Sequence, residues 1–319
     1  MSLALGLAAD IGGTNTRLAL VENGRVREDT IVRYSNADYE TPEAAIGAYL
    51  SETGTPRCGS AVLAIAAPIS GTRIEMTNHS WVFEASSLSR LLGDARVEFL
   101  NDFEALAHSL ENLNEGRLVP VQIPAESPPA NGTRVVVGAG TGFNAAALYP
   151  PRDGGRGTVG TGECGHMTMP VETARHLSLR DYLARGRGRA SVERALSGSG
   201  LREVYEWHCL EAGQSPGPLS PAEIAAAARA GTDPISVATA RAWMDILGRV
   251  AGDIALVFMA LGGVYLTGGV ARSLQPFLSE PEFLAAFRAK GRQTGLVSAI
   301  PVYLLDDDFA ALAGCAARM

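Results

Sequence analysis

Continuous apolar runs and alternating segments in the first third of the chain predict a sheet. The runs LALGLAADI and GSAVLAIAAPISG are typical of strands that are buried on both faces. The segment TRLALVENG alternates and stops at Asn23-Gly24, which predicts a hairpin turn. VREDTIVRYS and ARVEFLND predict further strands.

Helical spacing separates these strands. The stretch TPEAAIGAYLSETG offers Thr41 as an N-cap, Pro42 at the first helical position and Gly54 at the end. SSLSRLLG and FEALAHSLENL predict two more helices. The predicted order is therefore β-β-β-α-β-(β)-α-β-α.

A segment rich in proline and glycine, from Pro120 to Gly132, predicts a boundary, after which the same local plan starts again. RVVVGAGTGFNAAALYP predicts a strand, a glycine turn and a second strand, which suggests a duplicated fold. Predicted helices follow in SVERALSGSGLREVYEWHCLEAG, SPAEIAAAARAG and DPISVATARAWMDILGRVAGDIALVFMALG. GGVYLTGGVARSL predicts a strand, a glycine pair and a helix, and IPVYLLDD and FAALAGCAARM predict the last strand and helix.

Composition narrows the possible functions. The 319 residues suggest about two domains, 46% hydrophobic residues allow a large core, and a net charge of −7 argues against a nucleic-acid partner. The only lysine is Lys290, followed by Gly-Arg, so the chain lacks a Walker lysine and the strand lysine of a protein kinase. Any phosphate chemistry should therefore rest on backbone N–H groups, a metal ion and carboxylates.

Cysteine usage and hydropathy predict a soluble cytoplasmic protein. Cys58, Cys164, Cys209 and Cys315 are scattered, which suggests reduced thiols. No basic, apolar signal segment opens the chain. The most apolar run, from Ile254 to Leu266, is too short for a membrane span.

The first glycine motif is ADIGGTNTR. Successive N–H groups in a glycine turn can form an anion-binding nest, and Asp10 at the strand end could hold hydrated Mg²⁺. The motif lacks the GxGxxG spacing and the helix of a dinucleotide site. A plain hairpin turn stays open as the alternative. VVGAGTGFNAA and LTGGVA add two more glycine turns at strand ends, and the three together form a stronger signal.

Two further motifs carry polar side chains. In FLNDFEA, Asp102 follows a strand and can accept a proton from an attacking hydroxyl, although this segment alone favours Asp102 as a helix N-cap. In GTGECGHMTM, we weigh a zinc site, a Cys164 nucleophile, and a polar pocket in which Glu163 and His166 hydrogen-bond a sugar. Glu193 opens a helix, where the dipole alone would favour an acid.

Taken together, the motifs resemble the bacterial ATP-dependent glucokinases, of the superfamily that joins sugar kinases, actin and heat-shock ATPases. The resemblance runs nearly end to end, in the family's order, through DIGGTNTRLAL, IAAPISG, MTNHSWVF, LNDFEA, GAGTG, GTGECGHMTM, SVERALSGSGL, GGVYLTGG, AFRAKGR and IPVYLLDD. It implies an α/β fold of the actin-like (ribonuclease H-like) type, with two domains and an interdomain cleft. The domains are expected at residues 1–110 plus 301–319 and at residues 111–300.

The resemblance also implies a role for each motif, with glucose and ATP as partners, Mg²⁺ as cofactor and a homodimer as the assembly. Asp102 would take the proton of the 6-hydroxyl as it attacks the γ-phosphate. The sugar hydroxyls would bind Asn101, Glu163, His166 and Glu193. Asp10 would lie near Mg²⁺, through water. ATP would bind Ala9, Asp10, Ile11, Gly12, Gly13, Thr14, Gly138, Gly140, Thr141, Gly142, Gly268 and Gly269.

Two positions depart from the family pattern. The second loop usually reads GTGLG, and Asn144 here replaces its last glycine; Cys164 replaces the first of two glycines between Glu163 and His166. The cysteine-rich zinc signature of the repressor/ORF/kinase sugar kinases is absent. A kinase for another hexose and a non-catalytic sugar-binding sensor stay open as alternatives.

Overall fold

The chain folds into two compact units in the computed structural model, which describes residues 5–54, 57–76, 79–151 and 155–319. The first unit comprises Met1–Leu113 and Asp308–Met319, and the second comprises Asn114–Asp307. Thr77 and Asn78 of the predicted TNHSW motif lie outside the described residues.

The first unit is built on a mixed sheet. The strands of this unit are β1 (Gly6–Ile11), β2 (Asn15–Glu22), β3 (Arg25–Val26), β4 (Val32–Ser35), β5 (Ser60–Ile65), β6 (Arg73–Glu75), β7 (Val82–Glu84) and β8 (Arg96–Asn101). Of these, β6 and β7 pair with each other in a separate two-stranded sheet. Its first helices are α1 (Pro42–Thr53), α2 (Ala85–Leu91) and α3 (Asp102–Ser109). The predicted single strand VREDTIVRYS is two strands, because a 3₁₀ turn at Glu28–Thr30 interrupts it.

The order of the sheet is β3-β2-β1-β5-β8, with β4 also paired to β2. β1 and β2 are antiparallel, whereas β1, β5 and β8 are parallel. Alternate residues of β1 enter two different cores: Leu7, Ala9 and Ile11 enter one, and Ala8 enters the other. This burial on both faces explains why the strand reads as a continuous apolar run.

The second unit has its own sheet and most of the helices. Its strands are β9 (Leu118–Gln122), β10 (Arg134–Ala139), β11 (Phe143–Tyr149), β12 (Thr158–Thr161), β13 (Gly263–Thr267) and β14 (Val302–Leu305). Its helices are α4 (Ala174–Leu183), α5 (Val192–Leu196), α6 (Gly198–Glu211), α7 (Pro221–Ala230), α8 (Pro234–Val257), α9 (Gly269–Ser273), α10 (Pro281–Arg288) and α11 (Thr294–Ser298).

The second sheet repeats the plan of the first. Its order is β12-β11-β10-β13-β14-β9. β10 is antiparallel to β11 and parallel to β13, which is parallel to β14. Each sheet contains the glycine-turn hairpin that its motif predicted, and in each the first strand of the hairpin also pairs in parallel with a later strand.

The final strand corrects the predicted domain boundary. We expected residues 301–319 to join the first domain, but β14 lies between β13 and β9 in the sheet of the second unit. Its apolar residues pair in register with β13, from Val264↔Val302 to Leu266↔Leu304. The chain returns to the first unit only from Asp308, through α12 (Ala310–Ala317).

The helix predicted across SVERALSGSGL is two helices. Ser197 separates them because its backbone is extended, with φ −120° and ψ 177°. Its side chain accepts a hydrogen bond from the N–H of Gly200 and so caps α6.

Helix α12 packs closely on α3 and on β1. A Cβ at Gly314 would lie 1.7 Å from the carbonyl oxygen of Ala105, so only glycine permits this approach. The thiol of the next residue, Cys315, lies 3.5 Å from the carbonyl oxygen of Ala9. The packing of α12 therefore holds one face of β1, the strand that leads into the first glycine turn.

Lys290 is a structural residue in the second unit. Its side chain is only 6% exposed, and its Nζ donates to the carbonyl oxygen of Arg249 at 2.9 Å and to the carboxylate of Asp253 at 2.6 Å. The lysine thus ties the segment after α10 to α8. In the described ranges, no helix has the length and apolarity needed to cross a membrane.

Candidate active site

The first glycine turn joins β1 to β2. The strands pair up to Ile11↔Thr16, and the N–H of Gly12 donates to the carbonyl oxygen of Asn15 at 3.0 Å. Gly13 and Thr14 are exposed at the tip. The N–H groups at this tip can face a ligand, whereas the buried side chains of Ala9 and Ile11 pack in the core.

Asn36 fixes this turn and was not predicted. Its side chain is buried and donates to the carbonyl oxygen of Gly12 at 2.8 Å, while it accepts from the Thr16 hydroxyl at 2.9 Å. Its own N–H donates to the carbonyl oxygen of Thr14 at 2.9 Å. Asn36 thus takes part in three hydrogen bonds, two as donor and one as acceptor, and these set the conformation of the turn.

Asp10 lies at the carboxyl end of β1 and pairs with Arg17. The two residues face each other across the hairpin, and Arg17 Nη1 lies 2.7 Å from Asp10 Oδ2. Burial raises the pKa of the Asp10 carboxyl, and the Arg17 guanidinium opposes that rise. Arg17 was not predicted, although the hairpin register places it opposite Asp10.

Asn101 and Asp102 lie at the same sheet edge as this turn. The parallel register aligns Ile11 with Ile65 and Ile65 with Asn101, so the carboxyl ends of three strands coincide. Asn101 caps α3: its Oδ1 accepts the N–H of Phe103 at 3.0 Å, and its Nδ2 donates to the carbonyl oxygen of Ala67 at 3.2 Å.

The N-cap is therefore Asn101 rather than Asp102. Glu104 completes a capping box with Asn101, and Asp102 is the first residue of the helix. The Phe103 N–H also lies 3.0 Å from Asp102 Oδ1. The half-buried residue Asp102 thus lies in the first turn of α3, and Asn101 caps that helix.

The second glycine turn, Gly140 to Gly142, joins β10 to β11. The N–H of Gly140 donates to the carbonyl oxygen of Gly142 at 2.9 Å, and the carbonyl oxygen of Gly140 accepts the N–H of Gly198 at 2.8 Å. Thr141 is exposed at the tip, and Gly138 is buried in β10, where it pairs with Thr267 of β13. The turn is thus held by the first residue of α6.

The pair Gly268-Gly269 lies against this second turn. Gly268 has φ +99°, and a Cβ there would lie 2.3 Å from the carbonyl oxygen of Ala139, so the position requires glycine. A Cβ on Gly140 would lie 3.6 Å from the nitrogen of Gly269. The structure therefore brings together the predicted phosphate turn and the predicted adenosine turn.

Glu163 and His166 present their side chains to solvent. Residues Cys164–His166 form a single 3₁₀ turn that begins after Glu163. Both side chains are exposed, and neither has a hydrogen-bond partner within the described parts of the chain. They are thus available to an incoming polar ligand.

The other interpretations of this segment lose support. Within the described residues, no group of three or more His, Cys, Asp or Glu side chains could hold a metal ion, so a zinc site finds no ligand set. Burial raises the pKa of the Cys164 thiol, which disfavours the thiolate that a nucleophile needs.

Glu193 connects the sugar motif to the second glycine turn. Its Oε2 accepts the N–H of Phe143 at 3.0 Å, and a Cβ on Gly142 would lie 2.7 Å from that oxygen. Gly165 packs on the same strand, since its Cβ would lie 2.3 Å from the carbonyl oxygen of Phe143. The structure thus brings Glu193 and the loop of Glu163 and His166 to one end of β11.

Asn144 forms a further link that was not predicted. Its Oδ1 accepts the N–H of Cys164 at 2.9 Å and faces the N–H of Ala145 at 2.9 Å. Asparagine tolerates positive φ better than most residues, but Asn144 lies within β11 and is not among the described non-glycine residues with positive φ. The two departures from the family pattern are therefore in direct contact.

Comparison with known proteins places these motifs in one family. The glucokinase family model matches residues 7–319. A glucokinase of Mesorhizobium japonicum is 40% identical over 315 residues, which cover 98% of this chain and 90% of the relative.

Solved structures agree with the family match. The crystal structure of a glucokinase from an Antarctic psychrotroph is 30% identical, covers 99% of each chain and superposes with a TM-score of 0.86. A Balamuthia mandrillaris glucokinase in complex with glucose is 22% identical, covers 99% of this chain and 94% of its own, and has a TM-score of 0.82. These neighbours confirm the α/β fold of the actin-like ATPase type.

Proposed function

The chain belongs to the glucokinase family, and from that membership we propose that it transfers the γ-phosphoryl group of ATP to the 6-hydroxyl of D-glucose. The products are glucose 6-phosphate and ADP. The observation that carries this proposal is the Asp102 carboxylate at the carboxyl edge of the first sheet, beside a cap that Asn101 supplies. Cytoplasmic location and a homodimer stay predictions.

The glycine turns supply the groups that bind phosphate. Gly13 and Thr14 in the first unit and Thr141 in the second are exposed residues, and their N–H groups can donate to phosphate oxygens without a lysine. This agrees with the only lysine, Lys290, being committed to Asp253. Gly268 and Gly269 would receive the adenosine.

The carboxylate of Asp10 is suited to bind the Mg²⁺ ion that accompanies the phosphates of ATP. Mg²⁺ bound with substrate phosphates needs one or two protein carboxylates and keeps several waters. Asp10 is one carboxylate at a strand end whose ion pair with Arg17 uses Oδ2, and it would hold the ion through water. When bound, Mg²⁺ supplies positive charge that neutralises the phosphate oxygens.

The sugar would be bound by side chains that donate hydrogen bonds and by side chains that accept them. Glu163 and Glu193 accept hydrogen bonds from hydroxyls, and His166 can donate or accept. The Asn101 carboxamide already bonds Phe103 and Ala67, so it would offer glucose its remaining donor and acceptor capacity. Several oriented partners can reject an epimer that leaves one of them unpaired.

Asp102 would act as the base. Its carboxylate accepts the proton of the 6-hydroxyl as the oxygen attacks the γ-phosphate, and ADP leaves. Positioning and charge neutralisation supply most of the acceleration in phosphoryl transfer, so the base completes a site that other residues have arranged.

The test is ADP release with ATP, Mg²⁺ and a panel of hexoses, for the wild type and for Asp102→Asn. We expect turnover with glucose and a loss in the variant of roughly 10²- to 10⁴-fold. Preferred turnover of another hexose would reassign the substrate. Sugar binding without transfer would favour the sensor, and full activity of Asp102→Asn would remove the assigned base.

A further inference from the structure

The side chains of Glu163 and His166 owe their positions to the backbone that carries them. Both are exposed and lack hydrogen-bond partners within the described ranges. The loop is closed internally by two hydrogen bonds, from the His166 N–H to the Glu163 carbonyl at 3.0 Å and from the Met167 N–H to the Cys164 carbonyl at 3.1 Å. External anchors must therefore fix where this turn points.

The carboxyl end of the loop is anchored by the segment before and within α5. Arg189 Nη2 donates to the carbonyl oxygen of His166 at 2.6 Å. The N–H of Val192 donates to the carbonyl oxygen of Met167 at 2.9 Å, and Thr168 pairs with Ser191. These contacts fix the His166 side of the loop.

The amino end of the loop is anchored by Asn144. The Cys164 N–H, which follows Glu163 directly, donates to Asn144 Oδ1 at 2.9 Å. The orientation of the carboxamide is determined by its surroundings, because the N–H groups of Cys164 and Ala145 both require an acceptor. The pairing of β12 with β11 ends at Ala146↔Thr161, so without this oxygen the backbone at Cys164 would lose its hydrogen bond to β11.

Asn144 also joins this loop to the second glycine turn. It lies two residues after Gly142, and the intervening Phe143 donates its N–H to Glu193 Oε2. Two adjacent residues of β11 are thus linked to two predicted sugar ligands. Phe143 bonds the carboxylate of Glu193, and Asn144 bonds the backbone N–H of Cys164, the residue after Glu163.

We propose that Asn144 is a positioning residue for the sugar, which it affects by holding Glu163 in place through the Cys164 N–H. This inference rests on the proposed glucokinase function. Loss of the acceptor should raise the KM for glucose about tenfold, equivalent to about 1.4 kcal/mol. The KM for ATP and the thermal midpoint should change much less.

The test compares Asn144→Ala with Asn144→Asp, which keeps the acceptor oxygen. Asn131→Ala is the matched control, because Asn131 is exposed in the loop before β10. We expect Asn144→Asp to retain the wild-type KM for glucose and Asn131→Ala to be indistinguishable from wild type. In a Glu163→Gln background, Asn144→Ala should add little, since both changes act on one ligand.

The outcomes separate the two proposals. An unchanged KM for glucose in an active Asn144→Ala variant overturns the positioning role alone, as does an effect fully additive with Glu163→Gln. A fall in kcat and thermal midpoint without a change in the KM for glucose shows a merely structural role and also overturns it. A wild type with no hexose turnover overturns the proposed function, and the positioning role with it.

Discussion

Asn101 accepts the N–H of Phe103 at 3.0 Å, so the residue before Asp102, and not Asp102 itself, caps helix α3. The sequence alone favoured Asp102 as the cap, since aspartate is a preferred N-cap residue. The capping box of Asn101 and Glu104 removes that structural reason for an acid at position 102. Capping of α3 therefore does not require an acid at position 102.

The first prediction separates these two neighbours. Asn101→Ala should lower the free energy of unfolding by about 1 kcal/mol, because it removes an N-cap. Asp102→Ala should change stability by less than that, and Asp102→Asn should still abolish most of the turnover. Urea unfolding and ADP release measure the two quantities. An Asp102→Ala protein that is as unstable as Asn101→Ala would show that the cap assignment is wrong.

The second prediction concerns the two adjacent glycines before α9. Gly268→Ala should destabilise the fold strongly, because its Cβ would lie 2.3 Å from a backbone oxygen and φ is +99°. Gly269→Ala meets no atom within 4 Å and should leave stability nearly unchanged. If Gly269 lies beside adenosine, the same change should raise the KM for ATP several-fold. Thermal denaturation and nucleotide titration test both expectations, and an equally unstable Gly269→Ala would contradict them.

The third prediction is a pH dependence caused by His208. This buried side chain lies against Arg175 Nη2 at 2.7 Å and the Thr239 hydroxyl at 3.1 Å. Burial, with the Arg175 charge adding to it, lowers the pKa of His208 from 6.5 to about 4. Between these values the unfolded chain binds the proton and the folded chain does not, so stability falls as pH falls.

Between pH 7 and pH 5 this histidine should cost about 2 kcal/mol of unfolding free energy. His208→Gln keeps hydrogen-bonding groups but does not titrate, so its stability should fall less over the same range. Urea unfolding of both proteins at the two pH values gives the difference. Parallel losses in the two proteins would exclude His208 as the cause.

The fourth prediction concerns thiol reactivity. Cys58, Cys209 and Cys315 are buried, whereas Cys164 is partly exposed. Iodoacetamide should therefore modify Cys164 first in the native protein, yet slowly, because burial raises its pKa and the thiolate is the reactive form. Peptide mass spectrometry over time gives the order, with Cys164→Ser as the control. Modification of Cys58 before Cys164 would contradict the described burial.

Local sequence patterns predicted those parts of the fold that depend on local forces. The type and position of β1, β2, α1 and α7 follow from apolar periodicity, from the predicted N-cap Thr41, and from Gly54 and Gly231, which have left-handed C-cap conformations. The Asn23-Gly24 hairpin likewise has positive φ at both residues. These features each depend on a few neighbouring residues.

Long-range pairing is where the sequence was insufficient. The last strand was assigned to the wrong unit, because an apolar run shows that a strand is buried but not which sheet it joins. The roles of Asn36 and Asn144 were missed for a related reason: each bonds backbone groups about 20 residues or more away. The Arg17 partner of Asp10 could have been found, since a four-residue turn fixes the register that pairs them.

The buried ammonium of Lys290 has a practical consequence for labelling chemistry. Since this is the one lysine among 319 residues and its side chain is 6% exposed, amine-reactive dyes and cross-linkers meet no accessible lysine on the folded chain. A lysine introduced at a chosen surface position would therefore be the one accessible lysine. With the α-amino group blocked, it would suit oriented immobilisation or a fluorescent reporter of sugar binding.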